Sequence, residues 1–493
     1  MKKRIKAISA WIKNKIQAIT PGANATTGAI KALYWCSGIL FALSIIIMCL
    51  GLGDPWMFVF FILFVGLLIL AAYLANVVIA KTYAIPKRFR LAILICIPLT
   101  FQFLAFDGVM PALFLICTAL LGAGLGVLFK TGFKNLTIIR KIATIIGLLI
   151  GFSFYIAAFI LYIPAGFDVE QPINAALLNA EKIPHIQVSS PAEKGRYPVK
   201  TLTYGSGKDK HRKEFGEEAT LKTDSINGVA FIDNWSGFGG WYREHYWGHD
   251  EKSLPLNAYV WYPEGDGPFP LAIIVHGNHG MQDYSDTGYA YLGEHLASRG
   301  IIFASIDENF INSSWTDLLG GLEEENDARG WILLEHLRQW HNWNRDEEHL
   351  FFNKVDTTSL ALIGHSRGGE AVGHSALLNT LPFYPDDVSQ KLGYNYNIKS
   401  IAAIAPVDGQ YQPGNTRSAL KDINYFVLHG SQDADVTSFA GVRQYERVSF
   451  TQVDSTYYFK SGLYIQGANH GQFNTSWGNN DVSVPFTRLL NLK

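Results

Sequence analysis

Cysteine is scarce in this chain: four residues among 493, all of them (Cys36, Cys49, Cys96, Cys117) inside apolar runs of the first third. None stands in a C-x-x-C spacing or beside a histidine, which excludes a zinc ribbon or a dithiol pair and reads as small buried hydrophobes. Charged residues are also few, 17% against 48% hydrophobic, which excludes a disordered or purely solvating chain. Low-complexity tracts and internal repeats are absent. The first 29 residues hold no apolar run of signal-peptide length, and the first such run continues past any cleavage site. Acidic charge is nearly missing from residues 1 to 163, where 15 Lys/Arg face only Asp54 and Asp107; that segment carries about +13 and the remainder about −14. An acidic C-terminal portion offers no basic groove for phosphate backbones, so nucleic acid is disfavoured as a partner.

Apolar runs do occur, at about 31–53, 56–80, 90–106, 109–129 and 142–163. Each is near the ~17–25 residues that cross a hydrocarbon core. The reading is an all-α membrane domain of about five transmembrane helices over 31–163, in contact with membrane lipids. Basic residues cluster before the first run (Lys2 to Lys31), between the second and third (Lys81, Lys87, Arg88, Arg90) and between the fourth and fifth (Lys130, Lys134, Arg140, Lys141). This alternation puts the N-terminus in the cytoplasm and everything after residue 164 outside it. Segment 1–30, with Ile5, Ile8, Ile12, Ile16 and Ile19 among lysines, reads as a basic amphipathic stretch on the inner leaflet. Gly122/Gly126 and Gly147/Gly151 have the small-xxx-small spacing of close helix packing, expected within the chain. No ionisable residue lies mid-span, so the domain reads as an anchor rather than a transporter.

Beyond Pro164 the composition turns polar, Gly-rich and aromatic. Residues 164–253 read as a linker and N-terminal extension, with one strand-like stretch at 197–204. Over 254–493, strand-like runs at 254–263, 270–277, 301–307, 359–366, 400–406, 424–430 and 456–466 alternate with helical patterns near 289–299, 323–342 and 369–379. The interior runs are continuously apolar, as strands covered on both faces are. The alternation predicts an α/β domain with a mostly parallel, doubly wound sheet.

Gly364-His365-Ser366-Arg367-Gly368 stands between a strand run and a helix run, the context of a G-x-S-x-G nucleophile elbow. A serine hydroxyl needs an adjacent base, and the base an orienting acid. In chain order Asp433 follows the strand at 424–430, and His470, the one histidine in the last 60 residues, follows the final strand. Asp408 and Asp435 are alternative acids. Acyl transfer also needs oxyanion donors: the backbone N–H of Arg367, and one from the His276-Gly277-Asn278-His279-Gly280 loop, for which Asn278 is the candidate. His276 and His279 have no third residue spaced to complete a metal site, and Trp247 and Gly248 undercut the pair His245 and His249, so no metal and no cofactor is expected.

These motifs carry a resemblance. VHGNHG (275–280), ENDARGWILLEHL (325–337) and LIGHSRGGEA (362–371) are similar to the α/β-hydrolase superfamily, and most to its chlorophyllase, cutinase-like and platelet-activating-factor acetylhydrolase-like branch. The resemblance covers 254–471 and no part of the membrane region. It implies the α/β-hydrolase fold and hydrolysis of carboxylic esters through an acyl-enzyme, with Ser366, Asp433 and His470 as the matching triad. The expectation is a membrane-anchored extracytoplasmic serine esterase or lipase acting on an ester, for which the anchor suggests a lipid or an acylated envelope polymer. The alternatives are an acyltransferase or serine peptidase using the same triad, or a catalytically silent binding protein.

Overall fold

The computed structural model describes residues 22–51, parts of 62–96, 109–162, 188, 190–314, 316–317, 322, 325–451 and 457–478. The chain divides into two compact units, one running to Phe167 and one beginning at Asp168.

In the first unit, α1 (Ala23–Gly51), α2 (Val109–Lys130) and α3 (Ile138–Tyr162) each contain a stretch long and apolar enough to cross a membrane: Ala23–Leu43, Ala112–Lys130 and Ile138–Ile160. Leu33, Cys36 and Leu40 of α1 pack into a small core with Ala92 and Cys96, while much of the remaining apolar surface faces outward. Ile142, Ile146, Leu149, Ile156 and Phe159 of α3 are all more than 40% exposed, an apolar surface that water does not tolerate and lipid does. Three candidate spans are thus seen among the described residues where the sequence suggests five, and the expected spans at 56–80 and 90–106 fall largely outside those residues. The first helix begins at Ala23 rather than near residue 31, with Gly28 inside it and Lys31 exposed on its surface. Gly122 and Gly126 meet this helix directly: a Cβ on Gly122 would lie 2.6 Å from Gly28 O, and one on Gly126 2.8 Å from Gly28 Cα. Close approach of small residues holds α1 on α2, as Gly151 against Leu121 holds α3 on α2. Cys36, Cys96 and Cys117 form no disulfide with one another and are buried.

The second unit is a nine-stranded mixed sheet. In chain order its elements are β1 (Val199–Gly205), β2 (Leu221–Lys222), α4 (Gly237–Trp247), β3 (Asn257–Pro263), β4 (Phe269–Val275), α5 (Ala290–Ser298), β5 (Ile302–Asp307), α6 (Asn326–Arg345), β6 (Val355–His365), α7 (Arg367–Leu378), β7 (Ile398–Ile404), β8 (Asn424–Gly430), α8 (Gly441–Arg447) and β9 (Lys460–Ile465). The spatial order is β2-β1-β3-β5-β4-β6-β7-β8-β9. From β5 to β9 every neighbour is parallel, while β3 runs antiparallel to both β5 and β1. Strands β4 and β5 are buried on both faces, which explains their unbroken apolar sequence. Helix α5 covers β3 and β5, whereas α7 packs on β6 and β7 and is itself covered by α6.

Topology decides where a site can form. After β4 the chain moves to β5 on one side and then crosses back to β6 on the other, so the strand order reverses between β4 and β6. At such a switch point the loops leaving the C-terminal strand ends diverge and open a crevice. Register aligns those ends: Val275 pairs with Gly364, His365 with Ile404, and Gly430 with Ile465. The loops carrying Gly277, Ser366, Asp433 and His470 therefore leave the same edge of the sheet.

Candidate active site

Ser366 lies between the last residue of β6 and the first of α7, with φ 59° and ψ −123°. A non-glycine residue in this region is strained by about 1–3 kcal/mol and persists only where its surroundings over-determine it. Here they do. Ser366 N donates to Ile404 O at 2.9 Å, and its carbonyl accepts from Gly369 N at 2.9 Å. The flanking glycines are sterically required: a Cβ on Gly364 would lie 2.0 Å from Gly368 O, and one on Gly368 2.6 Å from the carbonyl oxygens of both Val275 and His276. The loop after β4 presses on the serine itself, since a Cβ on Gly277 would stand 2.4 Å from Ser366 Cβ and 3.0 Å from Oγ.

The other expected residues converge in part. His470 Nδ1 is 2.8 Å from Asp433 Oδ2, with both side chains 1% exposed. Oδ1 of Asp433 accepts from the backbone N–H groups of Val436 (2.6 Å) and Asp435 (3.1 Å), which fixes the carboxylate plane. Of the alternative acids, Asp408 is held by Arg417 at 2.7 Å and by Arg447. Asp435, 44% exposed, places Oδ2 3.3 Å from His470 Nε2. Among the described residues Ser366 Oγ makes no hydrogen bond, so the nitrogen that would serve the serine faces Asp435 instead.

Two further side chains, which the motif leaves unspecified, hold the histidine loop. His365, the residue before the serine, is fully buried; its Nε2 donates to His470 O at 2.9 Å and its Nδ1 accepts from Tyr289 OH at 2.9 Å. Burial, followed by the nearby His470, keeps its pKa well below the ordinary value, so this tautomer is neutral and fixed. The rings of His365 and His470 stand 5.0 Å apart, which places the imidazole beside the residue adjoining Ser366.

The loop after β4 is built on buried polar groups. Glu308 N donates to His276 Nε2 at 3.0 Å, which leaves Nδ1 to donate to Gly277 O at 2.8 Å. Asn278 spends its side chain on Ser313, Nδ2 donating to Oγ at 2.6 Å and Oδ1 accepting from N at 2.8 Å. Its backbone N–H, like that of Arg367, donates to no described residue. Beneath lies Arg329, 0% exposed, which donates to Asn312 Oδ1 at 2.9 Å and Glu308 Oε2 at 3.2 Å. Burial pushes the Glu308 carboxyl up to about 8 although Arg329 pulls it down. The Arg367 side chain pairs with Glu325. Sequence reasoning missed Arg329, because a helical arginine is ordinarily solvated; its one signal was its place in the apolar stretch ARGWILL. No group of three or more metal-ligating side chains is found among the described residues. Of the three N-x-S/T asparagines beyond residue 164, Asn312 and Asn474 are fully buried and hydrogen-bonded, leaving Asn234 exposed.

Comparison with known proteins finds no family model that matches the chain and no match among curated proteins.

Proposed function

We propose that the chain is a membrane-anchored serine hydrolase of the α/β-hydrolase fold that cleaves carboxylic esters, with Ser366 as nucleophile, His470 as base and Asp433 as acid. The observation that carries this reading is the backbone of Ser366, a strained non-glycine turn at the C-terminal end of a central parallel strand and at the switch point of the sheet. Holding a serine in that conformation disfavours folding and serves to present Oγ. The Asp433–His470 hydrogen bond supports the same reading: a carboxylate at Nδ1 favours the tautomer whose Nε2 lone pair is available as a base.

In the proposed reaction Ser366 Oγ bonds to the ester carbonyl carbon while its proton passes to His470 Nε2, and Asp435 yields that position to the hydroxyl. The oxyanion accepts from the N–H groups of Arg367 and Asn278. The carbon–alkoxy bond breaks and the alcohol leaves with the proton from His470. Water then adds to the acyl-enzyme, giving a proton to His470; the bond to Oγ breaks, Ser366 recovers the proton and the carboxylic acid departs. The alternating basic loops support a cytoplasmic N-terminus and an extracytoplasmic site, five spans included, with a lipid or acylated envelope polymer within reach.

A fluorophosphonate probe applied to the full-length chain in detergent micelles tests the assignment. Covalent label mapped to Ser366, with p-nitrophenyl ester hydrolysis lost in parallel, is expected. Label elsewhere, or undiminished turnover in Ser366→Ala, rejects it. Reporter fusions after Pro164 test the topology, and signal from the cytoplasm overturns it.

A further inference from the structure

A buried carboxylate needs its oxygen lone pairs met, about four sites in all. Asp433 receives three of the hydrogen bonds described above, two from backbone N–H groups on Oδ1 and one from His470 Nδ1 on Oδ2. The fourth approach is made by His429, the penultimate residue of β8, whose Nε2 lies 3.4 Å from the same Oδ2. The side chains of His429 and Asp433 are 2% and 1% exposed, so water does not serve this position.

The tautomer of His429 follows from its neighbours. Nε2 is 3.1 Å from Val436 O, which only accepts, so Nε2 carries a proton and shares it between that carbonyl and, less closely, Asp433 Oδ2. Burial, ahead of the attraction of Asp433, keeps the pKa of His429 below its ordinary value, so the ring is neutral at pH 7 and Nδ1 is a bare lone pair. That nitrogen is buried and has no hydrogen-bond partner. An acceptor left unmet in the interior destabilises the fold. An aliphatic residue would fill the gap between Phe439, 5.2 Å away between ring centroids, and Tyr464, 6.3 Å away, without that loss. What the imidazole supplies instead is an N–H toward both Val436 O and Asp433, and Val436 N donates in turn to the other carboxylate oxygen. His429 thus closes the acid loop on the carboxylate from both sides.

We infer that His429 is a positioning residue for the Asp433–His470 pair, its Nε2–H sharing Oδ2 with His470 and drawing off part of the carboxylate's hold on the imidazole proton. Without this donor Oδ2 would bind the His470 imidazolium more tightly, and His470 would keep its proton to higher pH. The hydrogen-bond arrangement stands without the ester-hydrolase reading, whereas its consequence for rate rests on that reading. The other ionisable side chains facing the pair are Asp435, 3.3 Å from His470 Nε2, and His365, whose ring is 5.0 Å from that of His470; neither side chain bonds Asp433.

The test compares His429→Phe, which keeps a ring between Phe439 and Tyr464 but has no donor, with His429→Gln, whose amide N–H restores one, in the full-length chain in lipid nanodiscs. Imidazole nitrogen NMR, with the His470 signal assigned by its loss in His470→Asn, should show the His470 titration midpoint about 0.5–1 pH unit higher in His429→Phe and within about 0.2 of the parent in His429→Gln. The acid limb of kcat/KM for p-nitrophenyl butyrate should move with it, a loss of about three- to tenfold below the midpoint with little change on the alkaline plateau. A packing role alone would lower the rate equally at every pH and leave the midpoint in place. An unmoved midpoint in His429→Phe, a rate loss that is flat across pH, or His429→Gln matching His429→Phe overturns the inference. Should His429→Phe not fold, His429→Met, which also lacks a donor, takes its place. Because the NMR titration involves no turnover, a parent inert toward esters defeats the esterase reading and leaves the His429 result intact.

Discussion

Replacing Asp433 by asparagine changes one atom and separates the three candidate acids. Oδ1 of Asp433 accepts from two backbone N–H groups, Val436 and Asp435, so the amide must keep its oxygen there. Its nitrogen then occupies the Oδ2 position, 2.8 Å from His470 Nδ1. An amide nitrogen only donates, which obliges Nδ1 to accept and moves the imidazole proton to Nε2. The lone pair that would take the serine proton disappears, and Asp435, which reaches Nε2 and not Nδ1, cannot restore it. Loss of the correct tautomer is worth about 10³- to 10⁴-fold in kcat, or roughly 4–5 kcal/mol of barrier. The assay is p-nitrophenyl butyrate hydrolysis by the full-length chain between pH 6 and 9, with thermal unfolding as the control for folding. Asp435→Asn should stay within about threefold of the parent, since it removes a neighbour of Nε2 and leaves the tautomer intact. Asp408→Asn should lose stability instead, because it unpairs Arg417 and Arg447. The reasoning fails if Asp433→Asn keeps kcat within a factor of about ten while Asp435→Asn loses about a thousandfold.

Ser366→Gly should abolish turnover and yet raise the unfolding free energy by about 1–2 kcal/mol, the relief of a φ 59° serine less the extra chain entropy of glycine; calorimetry showing equal or lower stability would deny the strain. His365→Phe removes the donor to His470 O and the acceptor that Nδ1 offers Tyr289 OH. It should cost about 1–3 kcal/mol of stability and roughly 10²-fold in kcat with KM little changed; a rate within twofold of the parent would show that the loop needs no such tether. Asp327 should give a pH signature. Burial pushes its carboxyl up to about 7 while Tyr384 donates to it. Because the unfolded value is near 4, the folded state binds the proton more tightly, and its contribution is full at acid pH and lost as pH rises through about 7. The unfolding midpoint of the parent should therefore fall relative to that of Asp327→Asn between about pH 4 and 7, and parallel curves would exclude it.

Strands β3 to β9 were legible as strand-like runs, most plainly β4 and β5, where burial on both faces leaves apolar residues that no helix period explains. Their order in space was not, since the crossover from β5 back to β6 is set by long-range packing. Helix α4 escaped because Gly237, Gly239 and Gly240 fill its first turn and its sequence has no apolar stripe; contacts such as Arg243 with Asp317 hold it in place. Helix α8 is only seven residues long, too short for a period to show. At the site, the glycines around Ser366 could be read because each excludes a Cβ. The choice among Asp408, Asp433 and Asp435 could not, as all three stand in loops after strands and only geometry shows which carboxylate meets Nδ1. His365 was visible as the variable position of the motif, but its tether to His470 spans 105 residues. Membrane spans are the converse case: apolar length makes them readable one by one, yet helix ends such as Ala23 are not, because the helix runs beyond the apolar stretch.

The polar interior beneath the β4 loop matches what the proposed oxyanion site requires. Residues 276–285 contain no helix or strand, so the sheet does not hold them, yet their backbone must be fixed against Ser366 to within a fraction of an ångström. Any N–H used to fix the loop is unavailable to a substrate. Side chains resolve the conflict: His276, Asn278 and His279 bond to the loop and its neighbours, and Arg329 with Glu308 and Asn312 anchors the segment from below, while the N–H groups of Arg367 and Asn278 stay uncommitted. Burying Arg329 is tolerable only because its hydrogen-bond partners are buried with it, and removing one leaves a buried donor unsatisfied at a cost of about 1–3 kcal/mol. A chain that needed only a stable sheet would fill this volume with aliphatic side chains. That it holds a fully buried guanidinium instead argues that loop geometry, rather than stability, determined these positions.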